Sequence, residues 1–331
     1  MASVDVAIPC YEYGRFLGDC VRSVLSQDHA DLRIRIIDNA STDDSVAIAR
    51  DLAARDPRIE IVARPVNLGA QASFNEGVDW ATADYFTVLS ADDRMAPGAL
   101  ARAVSVLEAN PSVSFAHGRA ISVFPSGPNA VENEGSGEWR ILSGAQFITR
   151  FCMHGVNQIS GCTALVRTSL QKKAGHYRTE LPHTDDFEMW MRLAALGPVA
   201  ETDAVQGISL IHGANMSAYY HAVQTRDLRA MKDAFDSFFR HEGSHLPEAK
   251  SLHRQAITSI GERAYWSAIS HICRGKSSTG ISLFKLAFSL RPATALLPPV
   301  NYIFRMDRPL RRIRHILSEI TGTPGKSKPA K

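Results

Sequence analysis

The first 117 residues alternate short apolar runs with segments of helical periodicity, and this alternation restricts the fold more than any other feature of the sequence. Apolar runs of strand length are predicted at 4–8, 32–37, 59–63, 85–89 and 113–117. Between these runs, apolar residues recur every three or four positions, which predicts amphipathic helices. Strands joined by single helices form right-handed βαβ units. The pattern therefore predicts an α/β fold with a mostly parallel central sheet.

The second predicted helix carries its own start signal. Ser41, followed three residues later by Asp44, resembles a capping box. We therefore expect a helix to begin there and to turn Val46, Ala49 and Leu52 toward the core.

The character of the sequence changes after residue 217. A loop rich in Gly, Pro, Asn and Ser is predicted at 125–137. Residues 219–315 show helical signals with few strand signals, and prolines interrupt them at positions 292, 298 and 299. We expect a domain boundary near residue 218, with an α/β domain at 1–218 and a helical C-terminal region with a basic tail at 219–331.

Composition excludes several classes of protein. The chain has 331 residues, of which 45% are hydrophobic and 21% charged, as in an ordinary globular protein. Its five cysteines are odd in number and show no C-x-x-C spacing, which argues against a disulfide framework or a thiolate zinc site. We recognise no signal peptide and no run of about 20 apolar residues, so we expect a cytoplasmic protein.

Charge is unevenly distributed along the chain. The formal net charge of +3 is too small to indicate a nucleic-acid-binding surface, and we expect no nucleic-acid partner. Residues 301–331, however, hold eight basic residues against two acidic ones. The mixture of arginine with leucine and isoleucine at 308–320 suits a basic amphipathic helix on the inner face of an anionic membrane. A helical cap on the α/β domain with a solvated basic tail explains it equally well.

Polar residues follow the predicted strands at the point where each strand ends. These segments are Pro9–Gly14, Asp38–Asp44, Asn67–Gly69 and Ser90–Asp93. Open α/β sheets bind ligands at the carboxyl ends of their strands, so we expect a site at this edge. No G-x-G-x-x-G motif follows the first strand and no Walker lysine motif is present, so phosphates would have to be held in another way.

Carboxylates at these strand ends allow two interpretations. Asp92 and Asp93 directly follow an apolar strand and could bind Mg²⁺ or Mn²⁺, which prefer oxygen ligands. They could equally form an ordinary turn or helix cap. Asp38 could accept a hydrogen bond from a nucleobase or a ribose, or could simply start an Asx turn.

Two later segments also carry candidate groups. Asp185 and Asp186 fall in the first turn of a predicted helix, where the helix dipole favours the ionised form that a general base needs. Plain N-capping, with Arg192 paired on the surface, is the alternative. His212 ends an apolar strand before a turn and is either a structural histidine or a Mn²⁺ ligand beside a carboxylate.

Together these segments resemble the family 2 inverting glycosyltransferases of bacteria, which have the GT-A fold. The resemblance rests on Ile8–Tyr11, Ile37–Asp43, Asn67–Gly69, Leu89–Asp93 with Pro97 and Gly98, Thr163–Arg167 with Gly175, Asp185–Arg192 and His212–Ser217. It covers residues 3–218. The order and spacing of the motifs carry the resemblance, since no single motif is decisive.

The resemblance implies a role for individual residues. Asp186 matches the catalytic base, and Asp38 matches the aspartate that contacts the nucleotide base. The implied nucleotide-sugar-binding residues are Pro9, Tyr11, Glu12, Asp38, Asn67, Gly69, Ser90, Ala91 and Asp92. The implied ligands of Mn²⁺ or Mg²⁺ are Asp92, Asp93 and His212. Residues 1–98 would then bind the nucleotide, and residues 99–218 would face the acceptor.

The resemblance implies an inverting transfer of a sugar from a nucleoside diphosphate donor. We expect this donor to be UDP-linked. The acceptor would be a hydroxyl of a glycan or of a lipid-linked glycan in cell-surface polysaccharide synthesis. Three departures from the family pattern matter: Ser90 replaces the first aspartate of D-x-D, Glu12 replaces an asparagine, and Phe74 replaces an arginine. They motivate the alternative of an inactive GT-A domain that binds a nucleotide-sugar or a partner. A nucleotidyltransferase would need a basic, Gly-rich loop after the first strand, which Pro9–Gly14 lacks.

Overall fold

A computed structural model describes residues 2–29, 31–124, 135–215 and 223–305. These residues divide into two compact units, the first within Met1–Ile148 and Asn157–Ala218, the second within Thr149–Val156 and Tyr219–Lys331. The predicted boundary near residue 218 lies outside the described residues. The sequence did not indicate that Thr149–Val156 groups with the C-terminal unit.

One sheet organises the first unit. Its strands are β1 (Val4–Cys10), β2 (Leu32–Asp38), β3 (Ile59–Ala63), β4 (Tyr85–Val88), β5 (Arg94–Met95), β6 (Phe115–Val123), β7 (Trp139–Leu142), β8 (Leu165–Arg167) and β9 (Val199–Leu210). The strand order is β3-β2-β1-β4-β8-β6-β9-β5, and β7 pairs with β9. β1 to β4 run parallel, as do β6 and β9, while the antiparallel pairings are short. The predicted α/β fold with a mostly parallel sheet is confirmed.

Helices connect and flank these strands. They are α1 (Gly14–Leu25), α2 (Ser45–Arg55), α3 (Ala70–Trp80), α4 (Ala99–Ala109), α5 (Gly144–His154), α6 (Thr168–Ala174) and α7 (Asp185–Leu196), followed by α8 (Gln224–Arg240), α9 (Ala249–Cys273), α10 (Ser277–Leu290) and α11 (Val300–Arg305). The alternating strand and helix signals of the first 117 residues therefore correspond to β1–α1–β2–α2–β3–α3–β4 and α4–β6.

The central strands are buried because helices cover both faces of the sheet. Val4, Val6 and Ile8 of β1 and Ile34 and Ile36 of β2 are almost fully buried. Strands covered on both faces form continuous apolar runs rather than alternating ones, which is the pattern that the sequence shows here. The carboxyl ends of β1, β2 and β3 meet in register, so the loops that follow these strands lie at one edge.

The predicted capping box at the start of α2 is wrong. The helix begins at Ser45, and the carboxylate of Asp43 accepts hydrogen bonds from the amides of Ser45 and Gly14, both at 3.0 Å. Ser41 instead accepts a hydrogen bond from the amide of Glu12 at 2.9 Å. The residues of this loop therefore join two strand ends rather than cap the helix locally.

Regular elements continue beyond the strand predicted at 113–117. β6 extends to Val123, and β7 and α5 follow it. β6 is longer than predicted because its second half pairs with β9, as in the pairs Ala120 with Gly207 and Val123 with Leu210. Most of the predicted loop at 125–137 lies outside the described residues.

The described part of the second unit is helical, which confirms the predicted helical C-terminal region. Phe235 and Phe238 of α8 and Ala256, Ile260 and Ala264 of α9 are buried in its core. None of the described helices is both long and apolar enough to span a bilayer. The predicted amphipathic segment at 308–320 lies outside the described residues.

Candidate active site

Asp38, at the carboxyl end of β2, has an oxygen that no described group satisfies. Its side chain is 1% exposed. Oδ2 accepts a hydrogen bond from the amide of Ser41 at 3.0 Å, which is three residues on rather than the two of an Asx turn. Oδ1, however, is buried and has no hydrogen-bond partner among the described residues. A buried carboxylate oxygen without a donor is costly unless a ligand supplies the donor.

The loops after β1 and β2 hold each other in strained conformations. Glu12 and Ala40 have positive φ angles of 57° and 65°, which non-glycine residues rarely adopt. The carboxylate of Glu12 accepts hydrogen bonds from the amide and hydroxyl of Thr42 at 2.7 and 3.0 Å. Glu12 thus joins the two loops. Tyr11 beside it is 46% exposed, and its ring is accessible.

Asn39 organises the segment that leads into α3. Its amide nitrogen donates to Asn67 Oδ1 at 2.8 Å and to the Gly69 carbonyl at 3.1 Å. Its amide oxygen accepts from Arg64 at 3.2 Å and from the Leu68 amide at 3.0 Å. The predicted site residues Asn67 and Gly69 therefore lie next to the end of β2, held there by a residue that the motif analysis did not single out.

Asp92 lies at the end of β4 within a compact polar cluster. His212 Nε2 lies 3.1 Å from Asp92 Oδ2, and Asn215 Nδ2 donates to the same oxygen at 2.9 Å. Asp92 and His212 are 120 residues apart in the sequence, and both are predicted metal ligands. The structure brings them into contact. Burial raises the pKa of the Asp92 carboxyl above its usual range, against a lowering contribution from His212.

Aromatic residues from the start of α1 clamp the segment that carries His212. Phe16 stacks on the His212 ring with centroids 4.7 Å apart, and Tyr13 meets it edge-on at 5.5 Å. The Tyr13 hydroxyl donates to the Ala214 carbonyl at 3.0 Å. Three chain segments, after β1, β4 and β9, are therefore bound together at one place. Residues 216 and 217 of the predicted motif lie outside the described residues.

Asp93 points to different partners from those of Asp92. Its Oδ1 accepts a hydrogen bond from the Leu210 amide at 3.2 Å, and the Ser209 and Cys162 side chains lie near it and act to lower its pKa. Burial, reinforced by the neighbouring Asp92 charge, raises the pKa of Asp93 to about 7. The structure thus gives Asp93 a place in attaching β9 to the end of β4.

Ser90 and Ala91, which precede these aspartates, contact the rest of the site through their backbone. The Ser90 carbonyl accepts a hydrogen bond from the Asp93 amide at 2.9 Å. The Ala91 amide donates to the Pro9 carbonyl at 3.3 Å, which ties the loop after β4 to the end of β1. The predicted residues Pro9, Ser90 and Ala91 are therefore adjacent.

Asp185 and Asp186 form the first turn of α7, as predicted, but have different surroundings. Asp185 is 3% exposed, and its carboxylate accepts hydrogen bonds from Gln71 at 3.0 Å and from the Asp186 amide at 2.9 Å. Asp186 is half-buried and accepts from Asn157 Nδ2 at 3.1 Å and from the Phe187 amide at 2.6 Å. Asp185 is thus anchored to α3, while Asp186 is held by one amide side chain and by the helix itself.

Burial raises the pKa of both carboxyl groups of this pair. For Asp186, the hydrogen bonds from Phe187 and Asn157 act against burial and favour the ionised form. A carboxyl group whose pKa lies above its usual range is a better proton acceptor near neutral pH than an ordinary aspartate.

The alternative assignment for Arg192, a surface ion pair, is wrong. Arg192 is buried, and its guanidinium pairs with Glu188 at 2.7 Å and donates to the carbonyls of Ala174 and His176. It therefore fixes α7 against the segment after α6 rather than leaving the helix as a surface element.

Two segments of the first unit connect Asp186 to the rest of the site. Gln71 of α3 bonds to Asp185, the neighbour of Asp186, and α3 is the helix that follows Asn67 and Gly69. Asn157 bonds to Asp186, and Cys162, five residues further along the chain, lies near Asp93. The candidate base and the candidate metal-binding cluster are thus connected by short stretches of chain.

Phe74 has a packing role at the position where the family pattern has an arginine. Its ring meets Tyr177 edge-on, with centroids 5.5 Å apart. A cation is nevertheless nearby, because Arg64 donates to Ser73 Oγ at 3.1 Å and pairs with Glu76. Arg64 was not predicted, since it follows β3 outside any recognised motif.

The donor set near Asp92 fits a divalent cation that is shared with a substrate. Among the described residues, no group of three or more His, Cys, Asp and Glu side chains could enclose a metal. A carboxylate beside an imidazole suits Mn²⁺, and Mg²⁺ or Mn²⁺ sites in enzymes commonly take one or two protein ligands plus phosphate oxygens and water. His212 Nδ1 accepts a hydrogen bond from the Ala214 amide at 3.2 Å, so in this arrangement Nε2 carries the proton and donates to Asp92.

Comparison with known proteins identifies the family and agrees with the fold. The sequence model described as glycosyl transferase family 2 matches residues 5–174. The chondroitin synthase of Escherichia coli is 22% identical over 214 residues, which are 65% of this chain and 30% of that protein. This chain therefore spans under a third of the length of that relative.

Two solved structures share the fold over most of their length. One is the mannosyltransferase PcManGT from Pyrobaculum calidifontis, solved with GDP-Man and Mn²⁺, with a TM-score of 0.62 at 18% identity. The match covers 97% of this chain and 85% of the PcManGT chain. TarS 1–349 of S. aureus, solved with UDP-GlcNAc, has a TM-score of 0.56 at 13% identity, over 88% and 91% of the two chains. Both likenesses concern the fold, and they confirm the predicted GT-A architecture.

Proposed function

The chain belongs to glycosyl transferase family 2, and from this premise we propose that it transfers a sugar, with inversion, from a UDP-linked donor to a hydroxyl of a glycan or lipid-linked glycan. The observation that carries the proposal is the buried Oδ1 of Asp38, which no described donor satisfies. A nucleotide base that lies at the carboxyl end of β2 would supply that donor.

The chemistry of Asp38 favours particular bases. An ionised carboxylate is only an acceptor, so it needs an N–H donor on the base. Uracil and guanine have a ring N–H at their Watson–Crick edge, whereas adenine and cytosine have an exocyclic amine beside a ring nitrogen acceptor that would repel the carboxylate. The exposed ring of Tyr11 is a surface on which such a base could stack. The related structures were solved with UDP-GlcNAc and GDP-Man, whose bases both have this group.

Methylation of the uracil ring nitrogen should therefore weaken binding of UDP. Blocking the only ring donor leaves Asp38 Oδ1 unsatisfied, and an unmade hydrogen bond to a buried charged group costs about 1.5–3 kcal/mol, or at least about tenfold in affinity. We expect UDP with Mn²⁺ to raise the melting temperature and N3-methyl-UDP to raise it much less. Calorimetric titration of the two ligands gives the ratio, and equal affinities would exclude contact between Asp38 and the base.

Asp92 is the residue that would hold the cation on the donor diphosphate. Bound there, Mn²⁺ or Mg²⁺ would neutralise the charge that develops on the departing diphosphate. His212 supports Asp92 through the 3.1 Å contact and would itself become a ligand only with its proton on Nδ1, away from the Ala214 amide. Asp93, bonded to Leu210, would keep β9 and the loop after β4 in place.

Asp186 is the proposed base. The acceptor hydroxyl attacks the anomeric carbon from the side opposite the diphosphate, its proton passes to the Asp186 carboxylate, and the bond from that carbon to the diphosphate oxygen breaks. One displacement of this kind inverts the anomeric configuration. Asn157 and the Phe187 amide orient the carboxylate, so that its free lone pair faces the acceptor in a fixed direction.

Removing the Asn157 side chain should move the acidic limb of the pH–rate profile. The base is active when ionised, so the transfer rate falls as pH decreases through the raised pKa of Asp186. The amide of Asn157 lowers that pKa, and the Asn157→Ala change should therefore shift the limb to higher pH. We expect about a tenfold loss of rate at the acidic end and little loss at alkaline pH.

A matched variant distinguishes this effect from a general loss of structure. Asn75 exchanges hydrogen bonds of 2.9 and 2.7 Å with the backbone of Tyr177, and these bonds do not involve Asp186. Asn75→Ala should lower stability without moving the acidic limb. An unshifted limb in Asn157→Ala would contradict the role given to Asn157.

A role in cell-surface polysaccharide synthesis is supported by the similarity to chondroitin synthase. The second unit and the segments after β6 are where we expect the acceptor to be recognised. We also propose that the protein works at the inner face of the cell membrane, where lipid-linked acceptors and nucleotide-sugar donors meet.

A further inference from the structure

Two adjacent leucines of the second unit are exposed although the backbone around them is anchored. Leu296 and Leu297 have 87% and 73% of their surface exposed. The indole of Trp266 donates to the Pro299 carbonyl at 3.0 Å, and Thr294 is buried beside them. The segment between α10 and α11 is thus attached to the helical core on both sides of the leucines. Anchoring the chain in this way directs two large apolar side chains into solvent.

The apolar surface continues beyond these two residues. Val300, at the start of α11, is 54% exposed. On α10, Leu283 and Leu286 are buried, while Ile281 and Phe288 on the opposite face are exposed. We call Leu296, Leu297 and Val300 the leucine tip. Single exposed apolar residues are ordinary, but three within five positions of an anchored turn suggest an interaction site.

The sequence on both sides of the leucine tip is strongly basic. From Arg263 to Lys331 it holds thirteen Lys and Arg residues but only two acidic residues, Asp307 and Glu319. This is a formal charge of +11 in a chain whose total is +3, so the preceding 262 residues are net acidic. Among the described cations, Arg291 pairs with Glu262. The tip therefore lies in a basic stretch of an otherwise acidic sequence.

We propose that the leucine tip docks the protein on an anionic lipid bilayer. Leucine and valine side chains gain free energy by entering the boundary between headgroups and acyl chains, and each nearby Lys or Arg adds attraction to anionic headgroups. A nucleic acid or another polyanion would use the cations but would leave the leucines in water. Docking does not require the donor site. It rests on the proposed function in one respect, namely that a lipid-linked acceptor would bring the protein to a membrane.

Two full-chain variants test the two contributions separately. L296D/L297D removes the apolar contacts, and R311Q/R312Q/R314Q removes charge from the following segment. In sedimentation with vesicles of phosphatidylcholine and phosphatidylglycerol, we expect each variant to bind at least about tenfold more weakly than the parent chain. Binding by the parent chain should decrease with added salt and be much weaker on pure phosphatidylcholine vesicles.

The control is F124D, which places an acidic residue at a side chain of the first unit that is 63% exposed. It replaces one exposed apolar side chain and adds one negative charge, against two of each in L296D/L297D, and should bind vesicles as the parent chain does. Equal vesicle binding by L296D/L297D and the parent chain would overturn the proposal. Binding of the parent chain to RNA or heparin but not to vesicles would also overturn it. So would self-association of the parent chain that is lost in L296D/L297D, because the tip would then bind a second copy.

Failure of docking and failure of the proposed function give different results. Hydrolysis of UDP-sugars in solution, without vesicles, reports on the donor site alone. We expect L296D/L297D to retain it. Vesicle binding without any donor hydrolysis would refute the proposed function and leave docking intact. Donor hydrolysis without vesicle binding would refute docking and leave the proposed function intact.

Discussion

Replacing Asp186 with asparagine should lower the rate of glycosyl transfer by about a thousandfold. The amide cannot accept the proton of the acceptor hydroxyl, and general base catalysis typically contributes 10²–10⁴-fold. Asn157 and Phe187 donate to different oxygens of this carboxylate, so asparagine keeps one of the two hydrogen bonds, and the residues assigned to the nucleotide and the cation are unchanged. Binding of UDP with Mn²⁺, measured by calorimetry, should therefore stay within about threefold of the parent. Transfer within tenfold of the parent rate would remove Asp186 from the role of base.

Asp185→Asn is the matched control for this change. It makes the same replacement of one carboxylate oxygen by an NH2 group at the adjacent residue, but Asp185 is buried and bonded to Gln71 of α3. We expect a lower melting temperature and a much smaller loss of kcat than in Asp186→Asn. If the two variants lost activity equally, the carboxylates would have to act as a unit rather than as a base and its anchor.

Replacing Asp92 with asparagine should reduce kcat/KM by at least about a hundredfold and abolish stimulation by Mn²⁺. The carboxylate is the one acidic ligand that we assign to the cation, and metal stabilisation of a leaving group contributes several kcal/mol, each 1.36 kcal/mol being tenfold in rate. Titrating Mn²⁺ into parent and variant while transfer is followed measures both effects. A variant that keeps the parent's response to Mn²⁺ would place the cation elsewhere.

Asp93→Asn is the corresponding control. Asp93 has its pKa raised to about 7, so much of it is already uncharged at neutral pH, and asparagine can still accept the hydrogen bond from Leu210. We expect this variant to keep its response to Mn²⁺. Loss of that response in Asp93→Asn would show that the original prediction of Asp93 as a ligand was right and that its bond to Leu210 is given up when the cation binds.

The sequence was most informative where local patterns decide structure. Periodicity placed β1 to β4 and the helices between them, and it placed Asp185 and Asp186 in the first turn of α7. The resemblance to the glycosyltransferase family, rather than periodicity, put Asp92 and His212 in one site, because β8 and β6 lie between β4 and β9 in the sheet.

Residues that act through distant partners were not predictable in this way. Asn157 has no periodic neighbours and acquires its role only when its loop approaches α7. Asn215 bonds to Asp92 across 123 residues of sequence. The capping box at Ser41 failed for the same reason, since its hydroxyl bonds to Glu12, 29 residues away. Local propensity cannot anticipate a partner that only the fold supplies.

The most direct test is a crystal structure of Asp186→Asn with UDP and Mn²⁺. We expect the uracil against Asp38 and the anomalous scattering of manganese beside the Asp92 carboxylate. We expect the β-phosphate to lie between Asp92 and residue 186. A manganese peak remote from Asp92, or a residue 186 closed off from the β-phosphate, would contradict a shared site for these three aspartates and with it the proposed reaction.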